Sequence, residues 1–111
     1  RDPALSAVLS AMHQRPGYGW TVPELAGIAC LSRSAFADRF SQILGQPPLS
    51  YLAEHRMRLA AWQLQHTKQP IRHIAEIVGY ASETAFSQAF KRQYGCAPSH
   101  FRQQADTGSS E

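Results

Sequence analysis

Two phrases decide the fold: SETAFSQAFKRQYG at residues 82–95 and SRSAFADRFSQILG at residues 32–45. Laid over each other they share Ser32/Ser82, Ala35/Ala85, Phe36/Phe86, Phe40/Phe90 and Gly45/Gly95, and Pro48/Pro98 follows in step. Upstream, residues 22–31 match residues 71–80 through Ala26/Ala75 and Ile28/Ile77. The shared positions are those that pack, cap or stop a helix, while the residues between them differ. A chain that keeps a skeleton and varies its surface in this way uses one supersecondary unit twice.

The unit is legible residue by residue. Val22, Leu25, Ala26, Ile28 and Ala29 recur at helical spacing, as do Ile71, Ile74, Ala75, Ile77 and Val78. Thr21 is placed to cap the first of these helices, with Pro23 and Glu24 in its opening turn. Each helix ends after about eight residues, the second at Gly79, a natural left-handed stop. Ser32 or Ser82 then caps a second helix, whose Phe36/Phe40 or Phe86/Phe90 pair at i, i+4 faces inward. Gly45 or Gly95 closes it, with a proline just beyond. Short helix, tight turn, longer helix is the helix-turn-helix layout.

Three more helices complete an all-α expectation of about seven: one over residues 3–13 with Leu5, Val8, Leu9 and Met12 on one face, a linker from Ser50 to about Gln65, and a last helix from Ser99. No segment alternates with period two, so no sheet is expected. The expected organisation is a first helix-turn-helix subdomain at residues 1–49, a linker helix at 50–66, a second subdomain at 67–104 and a disordered polar tail at 105–111. The linker carries Leu52, Ala53, Met57, Ala60, Ala61 and Leu64 along one side.

Composition narrows the function. The 111 residues carry 11 Lys/Arg against 8 Asp/Glu. Without Arg1, Asp2, Asp106 and Glu111 the balance is ten against five, which favours a polyanionic partner. No apolar run reaches the length of a membrane span. The chain begins at Arg1 without a signal pattern and reads as a piece of something longer. Cys30 and Cys96 have no CxxC or paired-histidine spacing and read as inert thiols in a reducing compartment. His13, His55, His66, His73 and His100 show no i, i+3 or i, i+4 pairing, so no metal and no cofactor are expected.

In a helix-turn-helix the second helix enters the DNA major groove with its N-terminal residues at base edges. With the phenylalanines turned inward, the outward face of residues 32–44 offers Arg33, Ser34, Ala37, Asp38 and Ser41. The corresponding face of residues 82–94 offers Glu83, Thr84, Ser87, Gln88 and Lys91. Gln pairs bidentately with adenine, and Glu or Asp accepts from the cytosine amino group. Ser32, Ser82, Arg39, Lys91 and Arg92 suit phosphates, as does His100 beside Ser99. Successive major-groove windows lie about 34 Å apart, and sixteen residues of linking helix span about 24 Å, the turns supplying the rest. Two unlike readers in one chain call for an asymmetric site.

The sequence resembles the DNA-binding domain of the AraC family of bacterial transcription regulators. LAGIACLSRSAFADRFSQILGQPPLSYL is similar to the family's first helix-turn-helix, HRMRLAAWQL to its linker and IRHIAEIVGYASETAFSQAFKRQYGCAPSHFR to its second unit, so the resemblance covers residues 3–104. It implies a cytoplasmic, nucleoid-associated regulator, activator or repressor, that binds double-stranded promoter DNA and works with RNA polymerase. It also implies a sensor domain N-terminal to this segment, and no membrane. Carried over, the family's base-reading positions fall on Ser34, Ala37 and Asp38 and on Glu83, Thr84 and Gln88. Asp38 departs from the basic residue common there, and Cys30 from a usual glycine.

Bland roles compete for several of these residues. The serine caps and phenylalanines would serve any helical protein. Arg56 reads as a snorkelled stem or ion pair, Arg58 as solvated, and Trp20, Trp62 and Tyr80 as packing residues. No nucleophile elbow, phosphate loop or carboxylate pair marks an enzyme. The stronger rival is a protein-interaction module that has kept the fold and lost DNA.

Overall fold

A computed structural model of the chain describes residues 2–109 and contains seven helices and no strand among them. These are α1 (Pro3–Gln14), α2 (Val22–Ile28), α3 (Arg33–Leu44), α4 (Pro48–His66), α5 (Ile71–Ile77), α6 (Glu83–Tyr94) and α7 (Pro98–Ser109). The all-α expectation is met. The chain divides into two compact units between His55 and Arg56, inside α4.

Unit 1 is built from α1 to α3 and the first half of α4. Asp2 caps α1 by accepting from the Ala4 and Leu5 N–H groups at 3.1 and 3.3 Å, and Pro3 pre-sets the first turn. Thr21 and Glu24 form a reciprocal capping box on α2: Thr21 Oγ1 accepts from the Glu24 N–H at 3.2 Å, and Glu24 Oε1 accepts from the Thr21 N–H at 3.3 Å. Leu5, Val8, Met12, Leu25, Ala26, Ala29, Phe36, Phe40 and Leu52 make its core. Phe40 meets both Phe36 and Tyr51 edge-on, at centroid distances of 5.8 and 5.7 Å. His13, at the end of α1, hydrogen-bonds the Tyr51 hydroxyl at 2.8 Å and lies 4.4 Å from the His55 ring, fastening α1 to α4.

Unit 2 repeats the plan with the second half of α4 standing where α1 stood. Its core is Met57, Ala60, Ala61, Leu64, Ile74, Ala75, Val78, Phe86 and Phe90. Leu5, Val8 and Met12 of α1 therefore correspond to Met57, Ala60 and Leu64 of α4, each buried. Phe101 meets Phe90 edge-on at 5.2 Å, as Tyr51 meets Phe40. No described buried residue is polar or charged, so each unit rests on apolar packing, and losing one phenylalanine ring would cost about 3–5 kcal/mol.

The two tight turns share one hydrogen-bond pattern. In unit 1 the Leu31 N–H donates to Ala26 O at 3.0 Å and the Cys30 N–H to Gly27 O at 3.1 Å. In unit 2 the Tyr80 N–H donates to Ala75 O at 2.9 Å and the Gly79 N–H to Glu76 O at 3.0 Å. This double closure requires a left-handed residue after the helix, supplied by Gly79 at φ 88° and, in unit 1, by Cys30 at φ 57°. Cys30 is the one non-glycine with positive φ among the described residues. Gly45 and Gly95 end α3 and α6 at φ 80° and 82°, donating to Ser41 O and Lys91 O.

Three boundaries and one packing expectation differ. The linker helix starts at Pro48, not Ser50, because a proline fits the first helical turn. It is no separate body, since each half belongs to its own unit. The last helix begins at Pro98 and runs to Ser109, through much of the tail expected to be disordered. Arg102, Gln103, Gln104 and Ala105 are strong helix formers that carry α7 up to the tail, and the helix continues through Gly108 without a break; residues 110 and 111 lie outside the described range. Trp62, expected to pack, is 52% exposed and stacks on His66 at 4.7 Å instead. It follows the buried Ala60 and Ala61 on α4 and falls just beyond the stripe.

Candidate nucleic-acid interface

The second helix of each unit is held by its cap and its phenylalanines, which together settle which face is free. Ser32 Oγ accepts from the Ala35 N–H at 3.2 Å, and Ser82 Oγ from the Ala85 N–H at 3.0 Å. With Phe36, Phe40, Phe86 and Phe90 fully buried, the opposite faces turn to solvent. Arg33, Ser34, Asp38 and Arg39 are exposed on α3, with Ala37 half-buried. Glu83, Thr84, Gln88, Lys91 and Arg92 are exposed on α6, with Ser87 half-buried. Each unit thus exposes most of the sequence-selected residues of its own second helix, and Arg39 is turned aside toward the start of α1.

The phosphate candidates have more specific surroundings. Ser32 and Ser82 use an oxygen lone pair in the cap, which leaves the hydroxyl proton to donate. Arg39 Nε donates to Asp2 Oδ2 at 2.6 Å, tying α3 to the cap of α1. That bond takes one of the five guanidinium donors, and the side chain stays 48% exposed. Desolvation pushes the Asp2 carboxyl upward, but the Leu5 N–H, then Arg39, then the Ala4 N–H outweigh it and hold Asp2 below its ordinary range. His100 stands in the first turn of α7 rather than on a recognition helix, its Nε2 facing the Gln104 amide at 3.3 Å.

A loop beside α3 had no functional reading in the sequence. In residues 15–21, Trp20 Nε1 donates to Arg15 O at 2.9 Å, the Tyr18 hydroxyl donates to Glu24 Oε2 at 2.7 Å, and the Tyr18 and Trp20 rings meet edge-on at 4.5 Å. The Arg15 guanidinium lies over Tyr18, 4.3 Å from its ring centroid. The Tyr18 hydroxyl bond is the main cause that keeps the Glu24 carboxyl below its usual range, and the same bond raises the Tyr18 phenol. So fixed, Trp20 forms a wall of an open groove of about 490 Å³ that also touches Thr21, Val22, Pro23, Leu49, Arg33, Ser34 and Ala37. Ser34 and Ala37 add little bulk to its floor, and a lack of bulk leaves no motif to read.

Arg102 was also missed. Its Nε donates to Leu64 O and its NH2 group to Thr67 O, each at 3.2 Å, so the guanidinium serves the carbonyl end of α4. Its counterpart in the first unit is Leu52, a core residue. Arg56 is half-buried, as a snorkelled stem would be. Burial lowers its pKa, and the Tyr80 phenol acts in the opposite sense. Both cysteines are free thiols, Cys30 exposed and Cys96 half-buried. Among the described residues no group of three or more His, Cys, Asp or Glu converges, and no helix is long and apolar enough to cross a membrane.

Two like-folded helix-turn-helix units, each turning a polar second helix to solvent, define a DNA-binding domain of the duplicated helix-turn-helix class. A family model described as a helix-turn-helix domain matches residues 25–104. The transcriptional regulator AlkR of Acinetobacter baylyi is 52% identical over 103 residues, 93% of this chain and 34% of that protein. RclR of Escherichia coli, an activator specific for RCS, is 44% identical over 101 residues, 91% of this chain and 36% of that protein. Among solved structures, the DNA-binding domain of AdpA in complex with a target DNA superposes with a TM-score of 0.90 at 27% identity, covering 100% of this chain and 99% of that one. The chain belongs to the AraC family of helix-turn-helix DNA-binding transcription regulators. It spans about a third of the length of the curated relatives it matches.

Proposed function

We propose that this chain is the promoter-reading part of a longer bacterial transcription regulator and inserts α3 and α6 into successive major grooves of an asymmetric site. The observation that carries this is the pair of units with matching cores and unlike exposed faces. Matching cores present each second helix in the same way, and unlike faces give each a different sequence to read. In the second unit, Gln88 is suited to an adenine edge and Glu83 to a cytosine amino group, with Thr84 and Ser87 beside them. In the first, Arg33, Ser34, Ala37 and Asp38 hold the corresponding places. Ser32, Arg39, Ser82, Lys91, Arg92 and His100 contribute phosphate contacts, which position the domain without reading sequence. The fuller protein works in the cytoplasm with RNA polymerase and carries a sensor domain ahead of this segment; its role is regulatory, with no reaction of its own.

Selection of bound duplexes from a random DNA pool at moderate salt tests the proposal. Two unlike blocks with centres about one helical turn apart are expected; a palindrome would refute the asymmetric reading, and a single block would confine base reading to one unit. Asp38, an exposed carboxylate on the first reading face, favours a second reading in which that unit docks a protein. Salt separates the two: DNA binding through several phosphates weakens steeply as salt rises, whereas a protein-docking module shows no such affinity for duplex DNA.

A further inference from the structure

We infer that the groove beside α3 is a thymine-methyl site, so that the first unit reads its block largely through apolar contact and the second through hydrogen bonds. The inference rests on the DNA-binding reading above. The groove is continuous with the α3 face: Ser34 and Ala37 touch it from that face, Trp20, Val22, Pro23 and Leu49 make its apolar wall, Thr21 lines it beside them with its hydroxyl engaged in the α2 cap, and Arg33 contributes the positive charge. Ser34 and Ala37 are too short to reach far into a base edge, and Ala37 has no polar atom. The one apolar group a base pair shows in the major groove is the C5-methyl of thymine. Guanine, adenine and cytosine show polar atoms there, and pressing those against Trp20, Val22 and Leu49 without partners would be unfavourable. The charge of Arg33 favours the same polyanion, and Leu49, 43% exposed in the free chain, gains cover when DNA arrives.

The second unit lacks this surface by sequence. Trp20, Pro23 and Leu49 correspond to Gln69, Arg72 and Ser99, and Arg33, Ser34 and Ala37 to Glu83, Thr84 and Ser87. Val22 keeps an apolar counterpart, Ile71, and Thr21 is replaced by Pro70. The apolar wall is thus replaced in the second unit, while the floor stays small there and becomes more polar, with Thr84 and Ser87 for Ser34 and Ala37.

The test uses the duplex recovered by selection, resynthesised with deoxyuridine for thymidine in one block at a time. Uracil keeps every hydrogen-bonding group and loses only the methyl. The expected result is a loss of about three- to fivefold in affinity per contacted methyl in the first unit's block and no loss in the second unit's block. In Ala37→Gln, which fills the groove with a longer polar side chain, the thymine-to-uracil ratio in the first block should fall to about one while the second block is still selected. Equal binding of thymine and uracil duplexes, or a first block without thymine, would overturn the inference while leaving DNA binding intact, and would assign the groove to an apolar group of a protein. No binding to any duplex would instead remove the DNA-binding reading and this inference with it.

Discussion

Cys30→Gly should make the protein more stable, although glycine is usually the destabilising residue. Cys30 holds φ 57° because the two turn bonds to Ala26 O and Gly27 O require a left-handed residue there. For a residue with a β-carbon that conformation costs about 1–2 kcal/mol. Glycine removes the strain but gives the unfolded chain more freedom, an opposing effect of about 0.4–1 kcal/mol. The side chain is exposed, so little packing is lost, and the net gain is about 0.5–1 kcal/mol. Trp20 belongs to unit 1 and Trp62 to unit 2, so in a Trp62→Phe background tryptophan fluorescence follows unit 1 alone. With a urea slope of about 1–1.5 kcal/mol/M for so small a unit, the midpoint should rise by roughly half a molar. Cys30→Ala separates strain from thiol chemistry: alanine keeps the β-carbon, so its midpoint should stay close to the parent's. Gly79→Ala, at φ 88° in the second turn, should lose about 0.5–1 kcal/mol followed through Trp62, the strain being partly offset by a stiffer unfolded chain. A fall in the Cys30→Gly midpoint, or an equal rise in Cys30→Ala, would refute the strain argument.

Further outcomes follow from other residues. Gln88→Ala should cost about 1–3 kcal/mol of binding and relax the preference at one base pair, and an unchanged selected sequence would remove Gln88 from the reading face. Arg102→Met should destabilise unit 2 by about 1–3 kcal/mol because the Leu64 and Thr67 carbonyls lose a charged donor; urea unfolding followed through Trp62 checks it, and an unchanged midpoint would deny the cap its role. Asp2 and Glu24 titrate below their ordinary values of 3.8 and 4.5. Their stabilisation is therefore complete above those values and lost as pH falls through the lower folded ones. Asp2→Asn combined with Glu24→Gln should then lower the urea midpoint at pH 7 and flatten its decline on acidification; a parallel decline would contradict the sign. For DNA, a plot of log affinity against log salt should fall linearly with a slope near −0.9 per phosphate contacted, and Lys91→Ala should reduce that slope by about one.

The two recognition helices were legible because their skeletons share letters: serine cap, phenylalanine pair, glycine stop. The kinship of α1 with the second half of α4 was not, because Leu5, Val8 and Met12 against Met57, Ala60 and Leu64 share apolar character and spacing but no letter. Trp62 misled because its bulk implies burial, while one residue past the stripe is enough to turn a side chain out. Arg102 was hidden for the opposite reason: a charge at a position homologous to the buried Leu52 reads as surface until the carbonyls it serves come into view. Cys30 was legible as a departure through the family resemblance, which has glycine at that turn, and its positive φ beside that of Gly79 gives the physical reason. The outward faces of α3 and α6 followed from helical geometry, but the groove did not, because its walls come together only in the fold, from the loop at residues 15–21 and the starts of α2, α3 and α4.

The sharing of α4 changes how the architecture counts. Each unit needs four helices, yet two units need seven, since the helix that closes the first also opens the second. Growth therefore proceeds by three helices per step, and a duplication in frame must cut within a helix rather than in a loop. The seam lies between His55 and Arg56, and its counterpart in α7 is Ala105, where the helix is still running. A copy of residues 56–105 spliced after Ala105 would continue α7 into the opening helix of a third unit, whereas the same copy joined through a loop would have to supply an opening helix of its own.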